Sequence, residues 1–399
     1  MIAAARKRWL VTAVLFLAAC TKDVSAPLAE PQPSAHPSRT LRSGFWAITM
    51  PNAPAGSYNP EGAFWTGERF LVVAGATVET WNPNRNEWKV VAQIPQADDC
   101  EGCGYGETAV WTGEELLLWG GGFSFRAPNG SKHKGVSVDL EGEVVPLPDA
   151  PIPVRRWHQA VWTGSEMITF GGGSDSVARN DGAAYNPGTR TWREIARSPV
   201  GGYVNTLVWT GKEMITWGGI EDATTSTHGY PSGFIAQGAA YDPAADEWRR
   251  LAGSGLDPRG GHSAVWTGEE MIVWGGLSRI PTTCHDCGYP TDAGAYNPST
   301  DKWRAIRLGP MSGRVDHTSV WTGQEMIVYG GSTPGGSRRR NSAGLYDLAA
   351  DRWRKLPEPP IAGRNFHVAV WTGTEMLVWG GQKPNGQPFS DGVLFVPDW

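Results

Sequence analysis

Charge is thin in this sequence. Asp, Glu, Lys and Arg together supply 19 % of its 399 residues. No long basic run interleaves with aromatics, so an extended nucleic-acid surface is excluded. The densest cationic cluster, Arg338 to Arg340, reads as a solvated loop. The longest apolar stretch at the N-terminus, "LVTAVLFLAA", is too short to cross a bilayer as a helix, which takes about 20 residues. Cysteine is sparse too, with five in the whole chain. A Ser nucleophile elbow, a phosphate-binding loop and an HExxH zinc motif are all missing, which removes three large enzyme classes. What the chain does have is glycine (52) and tryptophan (21) well above ordinary usage. Such a chain buries a large aromatic core and turns often.

The N-terminus is patterned for export. "MIAAARKRW" is a basic leader and the apolar stretch follows it, ending in "LAAC", Leu17 to Cys20. That ending resembles the lipobox of bacterial lipoproteins; the plain alternative is an ordinary signal peptide with an incidental cysteine. The resemblance implies that residues 1–19 are removed and that Cys20 is lipidated and becomes the first residue. Thr21, standing where Asp would favour inner-membrane retention, implies an outer-membrane lipoprotein facing the periplasm or the cell surface. Residues 21–43 are rich in Pro, Ala and Ser without a period, and read as a tether from the lipidated Cys20.

From there the chain repeats itself. "WTG" begins at Trp65, Trp111, Trp162, Trp209, Trp266, Trp321 and Trp371. Eight residues after each Trp stands an aromatic residue, except Val73 in the first copy, and Gly-Gly follows in every other copy. Each copy then offers a segment such as "AAYNPGTRTW" (183–192) or "GAYNPSTDKW" (294–303). Runs such as "HSAVW" and "MIVW" are strands, and Thr-Gly-x-Glu between them supplies the positive φ of a tight turn. The Tyr and Trp segments form a second hairpin around Asn-Pro or Asp-Pro. A four-stranded sheet of this kind has two apolar faces and cannot cover both. Stacking copies around an axis covers them, and closing the ring removes the ends.

The Gly-Gly ending strand two, the Tyr of strand three and the Trp of strand four resemble the Kelch motif. The resemblance spans about 44–399 and implies an all-β fold, a seven-bladed propeller. The second copy, "GVSVDLEGEVVPL", lacks both Tyr and Trp and predicts an irregular blade. The seventh copy ends after its third strand, while "GFWAITMP" (44–51) looks like an orphan fourth strand with Trp46 in the Trp position. The N-terminal strand is therefore expected to complete the last blade.

Function must sit on the loops. Seven residues before the WTG Trp stand Arg155, Arg259, Arg314 and Arg364; four before it stand Glu61, Glu107, His158, Asn205, His262, His317 and His367. A ring gathers these at one mouth. Four guanidiniums there suit an anionic or hydroxyl-rich ligand. In animal Kelch adaptors arginines at the equivalent position bind acidic peptides, so the resemblance makes Arg155, Arg259, Arg314 and Arg364 the ligand-binding candidates, with Glu61 and Glu107 as secondary contacts. The competing reading is that these arginines merely tie the entering loops together. Long loops in blades four and five open on the same face. "CEGCGY" (Cys100, Cys103) and "CHDCGY" (Cys284, Cys287) read as two local disulfides outside the cytoplasm, with a shared zinc site or a redox pair as alternatives. The copper radical site of galactose oxidase needs a Tyr-His pair and a Tyr–Cys crosslink that have no counterpart here. The expectation is a monomeric, cofactor-free binding module held to the membrane by its lipid, with a protein or carbohydrate ligand and no nucleic acid. The alternative is a carbohydrate-active enzyme like the bacterial sialic acid epimerases, with Glu61 or Glu107 moving protons.

Overall fold

The computed structural model describes residues 44–54, 60–95, 106–122, 125–126, 132–174, 177–225, 231–278, 288–333 and 339–398. The leader, Cys20, the tether and both CxxC motifs lie outside the described residues.

Seven four-stranded antiparallel sheets form the blades of a β-propeller. Their innermost strands are Pro60–Trp65, Glu107–Trp111, Gln159–Trp162, Thr206–Trp209, Ser263–Trp266, Val315–Trp321 and Val368–Trp371. Each packs beside the inner strands of its two neighbours, the seventh beside the first, so the ring is closed. The turn after each WTG Trp has the form its sequence predicts. Its Gly adopts φ between 91° and 105°, and the Thr hydroxyl accepts the backbone N–H of the residue three further on, as Thr267 does from Glu270 at 2.9 Å. The WTG tryptophans are buried or half-buried between blades, which makes them core.

In blades three to six the Tyr of strand three lies opposite the Trp of strand four, as Tyr296 does Trp303. In blades three to five the indole N–H of that Trp reaches into the preceding blade. Trp192, Trp248 and Trp303 donate to the carbonyls of Pro148, Ala196 and Ala252 at 2.7–3.0 Å. Blade two has the predicted irregular edge, a short Val144–Pro146 strand.

Closure uses the same device. Phe45–Met50 pairs antiparallel with Gly392–Val396 as the outer strand of blade seven, and Trp46 lies opposite Phe395. The Trp46 indole donates to the Pro357 carbonyl at 2.6 Å and packs on Tyr329 and Phe395. Two ends of the chain are thus joined by one repeat-like contact. Trp46→Ala should cost about 2–4 kcal/mol, the lower part of the range for a large-to-small change because the side chain is half-buried. Thermal unfolding followed by near-UV circular dichroism should show a midpoint lowered by several degrees; an unchanged midpoint would mean that the N-terminal strand does not fasten the ring.

One element escaped the sequence reading. The loops of blades three and four pair with each other, Gly173–Ser174, Val177–Ala178, Ile220–Thr225 and Pro231–Phe234 forming a second-tier sheet. Beneath it lies an apolar cluster of Tyr203, Val204, Ile220, Phe234, Leu277 and Val315, with Trp157 packed against its edge.

Candidate functional site

Antiparallel pairing places the start of strand one, the end of strand two and the start of strand three at one end of each blade. The segments from Arg to His enter there, around the axis. Their outer members are a frame. Arg155, Arg259, Arg314 and Arg364 are all at most 2 % exposed. The Nε of each donates two residues back, to the carbonyls of Pro153, Asp257, Ser312 and Ala362. Their Nη1 donates to the carbonyls of Gly171, Gly275, Gly330 and Gly380 at the end of strand two. Three also meet an aspartate: Arg155 with Asp181, Arg259 with Asp292 at 2.7 Å, and Arg364 with Asp391 at 2.9 Å. Burial tends to raise the Asp181 carboxyl, but Arg155 outweighs it and holds the group below the usual carboxylate range. The structure brings the four arginines to one face, as the ring predicts, but seats them inside the loops as ties.

The histidines clip one blade to the next. His158, His262, His317 and His367 each place Nε2 2.8–2.9 Å from a hydroxyl of the preceding blade: Thr108, Thr206, Ser263 and Thr318. Each ring also stands edge-on to the strand-two aromatic of that blade, Trp119, Trp217, Trp274 or Tyr329, at 5.0 Å. This contact explains the Gly-Gly pair. A Cβ on Gly120, Gly218, Gly275 or Gly330 would sit only 2.5–2.8 Å from the imidazole of the next blade. The second glycine of the pair donates its N–H across the same boundary, from Gly219, Gly276 and Gly331 to the carbonyls of Arg259, Arg314 and Arg364. Burial, reinforced by the adjacent arginine, pushes His317 down to about 3 and holds His262 and His367 well below their usual value. At His262, His317 and His367 the clip is neutral at physiological pH. Its stabilisation is complete above the unfolded-state value of about 6.5 and is lost as pH falls through the depressed folded values, about 3 at His317.

Glu61 and Glu107 take the histidine position in blades one and two and are 4 % and 1 % exposed. Neither oxygen of Glu107 has a hydrogen-bond partner among the described residues.

Between frame and clip, two residues change from blade to blade, Arg156-Trp157, Gly260-Gly261, Val315-Asp316 and Asn365-Phe366; blade four has Tyr203-Val204 at the same place, between Gly202 and Asn205. The second of each pair is left-handed, with φ of 59° at Trp157, 46° at Val204, 58° at Asp316 and 55° at Phe366; the corresponding glycines are Gly106 and Gly261. A β-branched Val in this region is uncommon, and such residues cost about 1–3 kcal/mol each unless the surroundings impose them. At Trp157, Asp316 and Phe366 the frame on one side and the clip on the other impose them; at Val204, between Gly202 and Asn205, the backbone bonds between Tyr203 and Ile220 and from Gly261 to Val204 do so.

The polar part of this ring is in blades six and seven. Asp316 Oδ2 accepts from Asn365 Nδ2 at 3.0 Å and from the Ser332 hydroxyl at 3.3 Å, and Ser332 in turn accepts from Arg339 Nη1 at 2.9 Å. Its Oδ1 is buried without a hydrogen-bond partner among the described residues. Burial pushes the Asp316 carboxyl up to about 7 against the opposing pull of Asn365, Arg339 and Ser332. Arg339 and Arg340, read from sequence as solvated, are half-buried and bonded to Ser332 and Thr333 because their strand folds back on strand two. Sequence reasoning missed Asp316, Ser332, Arg339 and Asn365. The signal available was the variation between Arg and His within an otherwise constant repeat.

If the arginines are ties, removing one should unfold rather than merely disarm. Arg259→Ala strands the carbonyls of Asp257, Gly275 and Asp292 and the Asp292 carboxylate, and should cost about 2–4 kcal/mol. A thermal midpoint equal to that of the parent chain would show instead that the side chain is kept for a ligand.

The model of the KLHDC2/KLHL20/DRC7 Kelch-repeats domain family matches residues 106–331 and 261–398. Among solved structures, one titled "Structure of YjhT" resembles the fold with a TM-score of 0.54 at 16 % identity, covering 75 % of this chain and 96 % of that one. At that identity the likeness speaks for the fold alone. Among curated proteins none matches the sequence.

Proposed function

We propose, because this chain belongs to the Kelch-repeat family, that it is a ligand-binding module whose binding face is the mouth carrying Trp157, Asp316 and Phe366. The Kelch propeller suits this role: a rigid ring presents variable side chains at fixed points. One observation carries the reading. The buried arginines and histidines hold one backbone shape in blades three, five, six and seven, and only the two residues between them change. Arg155, Arg259, Arg314 and Arg364 then contribute from beneath by fixing the loops of the site, with Glu61 and Glu107 breaking its symmetry. An aromatic platform at Trp157 and a polar group around Asp316 suit a carbohydrate or an acidic ligand. Anchoring to the bacterial outer membrane through a lipidated Cys20 belongs to this reading and rests on "LAAC". No helix among the described residues is long and apolar enough to cross a membrane.

A second reading, an enzyme of the sialic acid epimerase (mutarotase) type, is favoured by Asp316. A carboxyl that exchanges its proton near neutrality beside Arg339 is suited to acid–base work on a sugar.

The test is a thermal-shift screen of the purified chain against acidic sugars, glycans and acidic peptides, with NMR to detect conversion. Trp157→Gly and Asp316→Gly copy the residue that blades two and five carry at that point, so the left-handed backbone is kept without strain. Trp157→Gly should lower the melting midpoint by a few degrees, because that side chain packs on the apolar cluster, Asp316→Gly should leave it in place, and each should weaken binding about ten- to a hundredfold, the loss of one contact worth roughly 1.5–3 kcal/mol. Binding unaffected by both variants would move the site elsewhere. Turnover that stops in Asp316→Gly would establish the enzyme.

A further inference from the structure

Arginine and aspartate keep company in this repeat. The residue just before strand three is Asp181, Asp292 or Asp391 in the three blades described above, each paired with the frame arginine. Blades two and four, which lack the arginine, carry Lys134 and Gln237 there. Blade six breaks the rule: it has Arg314, but Ser342 stands where the aspartate belongs.

The consequence is a buried cation without an anion. Arg314 is 1 % exposed, and its hydrogen bonds go to the carbonyls of Ser312, Gly330 and Ser342 and to the Ser342 hydroxyl at 3.1 Å. All of these are neutral. Its Nη2, the atom that meets a carboxylate in Arg259 and Arg364, has no hydrogen-bond or ion-pair partner among the described residues. Arg340, bonded to Thr333 on the neighbouring strand, adds positive charge beside it. Burial and Arg340 together push the Arg314 guanidinium down to about 10. In Arg259 an adjacent Asp292 opposes that fall. A buried charge left unpaired is expensive, and proteins pair it or supply an ion. The vacated position is also within reach of solvent, since the side chains of Asp292 and Asp391 that fill it elsewhere are 40 % and 34 % exposed.

We infer that blade six takes its missing carboxylate from a ligand: Arg314 Nη2, the Ser342 hydroxyl and Arg340 form a subsite for the carboxylate of a small acid. This deepens the reading of the loop face as the ligand face and rests on it. The subsite has the footprint of an aspartate carboxylate, which the sister blades hold through one oxygen on Nη2, and the second oxygen of a carboxylate can take a further donor from Ser342 or Arg340, which a halide cannot. It lies in the same blade as Asp316, so an acid that also carries hydroxyls can engage both.

The decisive variant restores the missing residue. Ser342→Asp rebuilds the ion pair of the sister blades and competes with the ligand from inside the chain. Acetate and glucuronate are titrated into the purified full-length chain at constant ionic strength, with chloride and glucose as controls, and binding is read by thermal shift and calorimetry. The parent chain should be stabilised by both carboxylates beyond chloride. Ser342→Asp should bind them at least tenfold more weakly while melting no lower than the parent. Ser342→Ala should retain most of the affinity, and Arg340→Ala should lose several-fold. Equal affinity in Ser342→Asp and the parent, or no stabilisation beyond chloride, overturns the subsite. The two proposals separate cleanly. A ligand lost in Trp157→Gly but kept in Ser342→Asp leaves the mouth reading standing and removes this one. Carboxylate binding lost in Ser342→Asp but intact in Trp157→Gly does the reverse.

Discussion

The molecule depends on an imidazole lying against a glycine pair. Each blade is a sheet with two apolar faces, and it is stable only where a neighbour covers them. At four of the seven boundaries the histidine of one blade reaches back over the Gly-Gly of the blade before, bonds a Thr or Ser hydroxyl there, and meets its strand-two aromatic edge-on, as His262 does with Thr206 and Trp217. No larger residue fits at the first glycine without striking that ring. The same boundary carries a backbone bond from the second glycine to the carbonyl of the arginine. One layer of neutral, buried contacts therefore sets both the spacing of the blades and the shape of the loops that enter them.

Function becomes possible because that layer is complete without the residues inside it. With the frame arginine fixing one end of the entering segment and the histidine fixing the other in blades three, five, six and seven, the backbone between them can remain left-handed whatever side chain it carries. Trp157, Val204, Asp316 and Phe366 all occupy that conformation although none is glycine. Energy spent on strain here comes from a scaffold rich in apolar burial. Blade six then departs twice, with Asp316 in the variable pair and Ser342 in place of an aspartate, and both departures lie on the same face.

Most of the fold was legible from the sequence, because packing repeats at a fixed period. Seven WTG turns gave the blades, and the orphan "GFWAITMP" gave the closing strand, with Trp46 opposite Phe395 as its place in the pattern requires. The site was less legible. Arg155, Arg259, Arg314 and Arg364 drew attention as charges recurring at one mouth, yet burial and carbonyl bonds turn them inward, which a spacing pattern cannot reveal. Arg339 and Arg340 looked solvated as part of a triple-arginine run, and pairing with strand two half-buries them. The second-tier sheet of blades three and four was hidden for a different reason. Its strands come from non-repeating loops, and their pairing is a contact between blades rather than a pattern within one.

The central claim is that the clips make the ring a single cooperative unit. Native-state hydrogen exchange measures it directly at the amides of Gly121, Gly172, Gly219, Gly276 and Gly331, each of which donates across a blade boundary. If the ring opens only as a whole, these five amides share one slow exchange rate that matches global unfolding. If instead each boundary exchanges at its own rate, well below the global free energy, the blades are held singly and the clip is not what the structure depends on.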